Sequence, residues 1–98
     1  MILIIGGRSA GKREIAKTLG CDPEKTLLAL HALEPLPSLK DLLNYEAVIC
    51  DEVGCGVVPV EPAQRARREA VGRLCCRLAE RAERVERIFC GLPMVLKD

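Results

Sequence analysis

The sequence predicts an α/β protein: a small three-layer fold whose mainly parallel sheet has four or five strands. Three observations predict it. Four apolar runs, 1–5, 26–33, 47–50 and 85–90, are separated by stretches with helical periodicity, and alternation of strand with helix is the pattern of a parallel sheet covered on both faces. The first run contains no polar residue and ends at Gly6 and Gly7, as a strand buried on both faces does. Apolar residues make up 49% of the 98 residues and aromatic ones 2%, so Leu, Val, Ile, Ala and Cys must fill one core in a single domain, 1–98.

The elements follow in chain order. After the first strand, Ile15, Ala16 and Leu19 recur at helical spacing from Lys12, with Gly20 as the stop and Pro23 just beyond. The run 26–33 reads as a second buried strand, although its Ala and Leu content suits a helix equally well. Pro35 and Pro37 then interrupt, and Ser38 can cap a brief helix that places Leu39, Leu42 and Leu43 on one face. Ala47 to Cys50 is a third strand running into Asp51 and Glu52, followed by a loop punctuated by Gly54, Gly56, Pro59 and Pro62. From Ala63 to about Arg84, Ala66, Ala70, Val71, Leu74, Cys75, Leu78, Ala79 and Ala82 trace the apolar face of the longest helix. Its arginine-rich outer face reads as solvated, with Glu69 and Glu80 four residues before Arg73 and Arg84. Val85 to Cys90 supplies a fourth strand, and Met94 to Lys97 a short last one.

Several function classes drop out. A net charge of +1 gives no electrostatic reason to expect nucleic acid or an anionic membrane as a partner. No apolar run approaches the ~20 residues of a membrane span, and the N-terminal apolar segment is too short, and lacks the basic start, for a signal peptide. Six cysteines form no C-x-x-C pair and have one histidine for company. They read as buried small hydrophobes in a reducing cytoplasm, which makes the expected location cytoplasmic and sulfur-bound metal unexpected.

The chemistry concentrates between the first strand and the first helix. Gly6, Gly7, Arg8, Ser9, Ala10, Gly11 and Lys12 form a loop of the G-x-x-x-x-G-K type. Its glycines let backbone N–H groups converge on an anion, and its lysine reaches terminal phosphates. A purine nucleotide, GTP or ATP, is the expected ligand. The position after the lysine breaks the pattern. A hydroxyl there normally contributes an oxygen to magnesium, but Arg13 has no acceptor and repels a cation. The strand-ending acid Asp51 is the candidate metal residue, acting through water, and Glu52 a candidate base or loop-holding residue. A strand ending in a solvated acid is common enough to carry little weight without the glycine loop upstream.

"DEVGCGVVP" at 51–59, then Arg65, Arg68, Gly72 and Leu78 in the following helix, then "GLPMVLK" at 91–97 resemble the C-terminal half of the bifunctional adenosylcobinamide kinase / adenosylcobinamide-phosphate guanylyltransferase family. That family carries N-E-V-G-x-G-[IV]-V-P after a strand. Together with the glycine loop the resemblance covers roughly two thirds of the chain. It implies a phosphate-loop fold, cobinamide as phosphate acceptor, assembly into a homo-oligomer, and catalytic roles for Lys12, Asp51 and Glu52. The departures are specific: Arg13 replaces the loop serine, Asp51 replaces the signature's first Asn, Cys75 replaces a helix Asn, and the Arg-Ser pair is shifted to Arg8 and Ser9. Members of the family are nearly twice as long, and the missing part lies between the second strand and the signature. In the family that part holds the histidine that accepts GMP covalently. His31 does not sit in that motif and reads as structural. The sequence therefore supports a nucleotide binder with weakened kinase activity and no guanylyl transfer, or a non-catalytic oligomerisation or partner-binding module derived from the family.

Overall fold

The computed structural model describes residues 1–7, 10–51 and 61–98. Arg8, Ser9, Glu52 and most of the signature loop lie outside the described residues. Strand β1 (Ile2–Gly6) sits at the centre of a five-stranded sheet, with β3 (Ala47–Asp51) on one side and β4 (Arg84–Phe89) on the other. The sheet runs β2-β3-β1-β4-β5, with β2 (Thr26–Leu27) at one edge and β5 (Leu92–Lys97) at the other. All pairings are parallel except β4 with β5, which is an antiparallel hairpin.

The helices cover both faces. Helix α1 (Lys12–Thr18) packs Ala16 with Ile4, Ile49 and Ile88, while α2 (Leu39–Leu42) and α3 (Pro62–Arg81) enclose Leu3, Val48, Cys50 and Val85 on the opposite face. Alternate residues of β1 thus feed different cores, which is why its run is uninterrupted by polar residues. On α3, Val71, Leu74 and Leu78 form the buried stripe. Each fully buried aliphatic side chain contributes about 1.5–3 kcal/mol of transfer free energy. Helix α2 starts as Ser38 suggested, its hydroxyl accepting the Asp41 N–H at 3.2 Å.

Two expectations need correction. The run 26–33 is a strand only at Thr26–Leu27. Ala29 adopts a left-handed conformation, φ 64°, and Leu30–Ala32 forms a 3-10 turn that inserts Leu30, fully buried, into the core. Apolar content there reported neither pleat nor general burial, since Leu30 alone is buried and Leu28 is 44% exposed. The long helix ends at Arg81, so Arg84 begins β4 and pairs with Glu86 (2.9 Å) and Asp98 (3.0 Å), not with Glu80. These carboxylates, Glu86 first, hold the Arg84 guanidinium above its ordinary pKa. The other expected pair, Glu69–Arg73, is present at 3.9 Å on the exposed face of α3. The cysteines also divide: Cys50 is buried, Cys21 and Cys75 are half-buried, and Cys76 and Cys90 are exposed.

Candidate functional site

The chain leaves β1 toward the β3 side of the sheet through α1, and leaves β3 toward the β4 side through α3. Such a reversal opens a crevice at the carboxyl ends of the two strands, the usual ligand position in open α/β sheets. The glycine loop and Asp51 occupy it, one at the end of each strand.

Glycines make the crossing possible. A Cβ on Gly6 would lie 2.6 Å from the Ile88 carbonyl oxygen, so no larger residue fits between β1 and β4. Gly11 caps α1 at φ 92°, and a Cβ there would come 3.3 Å from Gly91 Cα. Gly91 in turn donates its N–H to the Ala10 carbonyl at 2.9 Å, tying the end of the loop to the β4–β5 turn.

Lys12, the first residue of α1, is only 8% exposed. Its Nζ donates to the Gly7 carbonyl at 2.6 Å and pairs with Asp51 Oδ1 at 2.8 Å. The other carboxylate oxygen, Oδ2, lies 3.3 Å from His31 Nε2, while the Asp51 backbone N–H donates to His31 Nδ1 at 3.1 Å. An Nδ1 that accepts leaves the ring proton on Nε2, aimed at the carboxylate. His31 itself is held from behind: Arg67 of α3 donates through Nη2 to the carbonyls of His31 (3.1 Å) and Leu33. Lys12, His31 and Asp51 border an open cavity of about 340 Å³ with Ala10, Gly11, Arg13, Glu14 and Ile49 on its walls.

Of the residues singled out in the sequence, the structure brings Gly6, Gly7, Ala10, Gly11, Lys12, Arg13 and Asp51 to one end of the sheet. Arg8, Ser9 and Glu52 lie outside the described residues. His31, expected at the end of a strand, sits in the 3-10 turn and faces Asp51. Arg67 carried no signal in the sequence beyond its place in an arginine-rich helix. The only hint for His31 was that it is the sole histidine.

The arrangement is a poor cradle for magnesium. Both Asp51 oxygens already face cationic or N–H partners, and Arg13 brings a second positive charge to the cavity. Among the described residues, no group of three His, Cys, Asp or Glu converges as metal ligands would. The described donor set does not fit the ion.

A family model described as cobinamide kinase / cobinamide phosphate guanyltransferase matches residues 31–96, two thirds of the chain. The chain belongs to that family. Among curated proteins, none matches it. Membership relates the protein to cobalamin biosynthesis, through a family whose reactions use nucleotides. The matched span opens at His31 and contains Asp51, Arg67 and the signature loop. The glycine loop and Lys12 precede it, so their reading rests on local geometry. Among the described residues no helix is long and apolar enough to cross a membrane.

Proposed function

We propose that the protein binds a purine nucleotide through its phosphates at the glycine loop and is a cobinamide kinase of weakened activity that has lost guanylyl transfer. The observation that carries this reading is the buried Lys12, held 2.8 Å from Asp51 at the mouth of a cavity where two strands end. A lysine kept there by one carboxylate and one carbonyl is poised, because an arriving phosphate can take over its donors with shorter, stronger charge-assisted bonds. Displaced from Lys12, the Asp51 carboxylate regains a free oxygen. It can then orient the hydroxyl that attacks the terminal phosphorus and receive its proton as the bond to the leaving diphosphate breaks. Arg13 supplies a second positive charge to the phosphates in place of a metal ligand.

Guanylyl transfer in the family's manner needs an imidazole nitrogen with a free lone pair beside the phosphate. The Nδ1 lone pair of His31 accepts the Asp51 N–H, and Nε2 carries the proton toward the carboxylate. Neither nitrogen is available without breaking the contacts that hold the ring. His31 in this reading orients Asp51.

A second reading, a partner-binding or self-associating module, is favoured by one observation: Phe89, Leu92, Met94, Val95 and Leu96 of the hairpin are all exposed. An edge strand with an apolar surface is a template for a neighbour. Titration with GTP and ATP, with and without magnesium, followed by cobinamide phosphorylation on the same sample, tests the leading reading. Absence of nucleotide binding leaves only the second.

A further inference from the structure

Outside the nucleotide cavity, two thiols meet between the sheet and the long helix. Cys50 on β3 and Cys75 on α3 have their Sγ atoms 3.7 Å apart. They differ in access. Cys50 is fully buried, whereas Cys75 is half-buried and lines an open, largely apolar groove of about 560 Å³ between α3 and β5, beside Leu3, Val85 and Leu96. A disulfide requires the sulfurs to come to about 2.0 Å, a movement that side-chain rotation supplies when the backbones are already packed together. We propose that Cys50 and Cys75 form a reversible intramolecular disulfide, with Cys75 as the thiol that meets the oxidant and Cys50 as the thiol that resolves it.

The oxidant class is a hydroperoxide small enough to enter the groove. The Cys75 sulfur attacks the terminal oxygen, the O–O bond breaks, and an alcohol, or water from hydrogen peroxide, leaves with the thiol proton. Cys75 is then a sulfenic acid. The Cys50 sulfur attacks it, the S–S bond forms, the S–O bond breaks, and the hydroxyl leaves as water with the Cys50 proton. Two thiols lose two electrons and the peroxide gains them. The hydrogen bond with Cys50 holds the Cys75 thiol below its ordinary pKa against the opposing effect of burial, consistent with this division of labour. Exposed Cys76 and Cys90 have no sulfur partner within hydrogen-bonding distance among the described residues.

The bond has a local consequence. Cys50 directly precedes Asp51, and α3 also carries Arg67, which holds the His31 carbonyl. Joining β3 to α3 at this point alters the frame that presents Asp51 to His31. That consequence is readable without any nucleotide, because His31 is the only histidine and gives a single set of imidazole resonances.

Trypsin leaves Cys50 with Cys55 and Cys75 with Cys76 on shared peptides, so the test uses a C55S/C76S background. The full chain is treated with stoichiometric hydrogen peroxide, denatured, alkylated and weighed. The expected result is a loss of 2 Da with two thiols protected, a cross-linked pair of peptides containing Cys50 and Cys75, reversal by dithiothreitol, and displaced His31 resonances in the oxidised form. Cys75→Ser, at a half-buried position that tolerates a hydroxyl, should abolish the cross-link while leaving the far-ultraviolet spectrum intact. Cys50→Ala should instead leave Cys75 trapped as a sulfenic acid, 16 Da heavier. Protection that involves Cys21 or Cys90, covalent dimers in place of the internal link, or a cross-link that survives Cys75→Ser would overturn the proposal.

Discussion

Strands β1 and β5 have nearly the same apolar content and opposite fates. In Ile2–Gly6 three of five residues are buried and the rest half-buried, while every residue of Leu92–Lys97 is exposed. Composition made both of them strands, but neighbours decided burial. β1 has a strand on each side and a helix layer on each face; β5 has one strand neighbour, β4, and meets the helix layer at its end, where Lys97 Nζ donates to the Ala79 and Glu80 carbonyls of α3. The candidate site forms where neighbours are most constrained, because Lys12 and Asp51 can be held 2.8 Å apart only if β1 and β3 are in fixed register. The outer hairpin is free to vary, or to be covered by another surface.

The largest effect should come from attacking the constrained region at Gly6. A valine there drives its Cβ into the Ile88 carbonyl, a 2.6 Å approach to backbone that cannot rotate away. The expected cost is about 3 kcal/mol or more, at the upper end for overpacking, read as a large drop in the urea midpoint or failure to fold. Ile4→Ala, which empties a fully buried position, should cost about 2–5 kcal/mol. Either variant behaving like wild type would contradict the central placement of β1.

Next in size is the site itself. Lys12→Ala removes a charge-assisted phosphate contact and should weaken GTP or ATP binding about tenfold or more, equivalent to about 1.4 kcal/mol. The measurement is calorimetric titration of both forms under identical salt. Unchanged affinity would reduce the loop to an ordinary turn. A much smaller change is expected at the other edge: Met94→Gln and Leu96→Gln, both more than half exposed, should each alter stability by less than about 0.5 kcal/mol. If the hairpin is covered by a second copy, the same substitutions should lower the mass seen in sedimentation. That outcome sharpens the contrast between the two strands, since it would restore to β5 the neighbours it lacks here.

Local pattern made much of the architecture legible. The glycine pair after an unbroken apolar run placed β1, the three- and four-residue recurrence placed α3, and the acid after Ala47–Cys50 placed Asp51 at a strand end. What stayed hidden depended on contacts across the chain. The left-handed Ala29 that stops β2 has no residue signature, since alanine is not selected for positive φ. His31 meets Asp51 across 20 positions, and Arg67 reaches the His31 carbonyl across 36. Nothing in the spacing of those residues announces either contact. The Cys50–Cys75 approach is of the same kind: each cysteine alone reads as a small hydrophobe, and only packing of α3 onto β3 makes them a pair.

The last expected effect concerns Arg13, and it tests whether the residue after Lys12 decides how far nucleotide binding uses magnesium. Arg13 is exposed and borders the cavity beside Lys12. Replacing it with serine removes a cation that repels magnesium and supplies an oxygen where phosphate loops usually carry one. Binding of GTP or ATP by Arg13→Ser should therefore become a few-fold more dependent on magnesium than binding by the wild type, while affinity without magnesium falls, because one phosphate-facing charge is gone. No guanylyl transfer should appear. The substitution leaves both His31 nitrogens engaged, Nδ1 by the Asp51 amide and Nε2 by the Asp51 carboxylate, so the imidazole remains without a free lone pair. Incubation with labelled GTP, quenching in alkaline detergent and recovery of label on protein before and after acid treatment reads this directly. A stoichiometric, acid-labile adduct that disappears in His31→Ala would mean that the ring turns out of its Asp51 contacts when nucleotide binds, and that the shortened chain had kept, in His31, a working nucleophile.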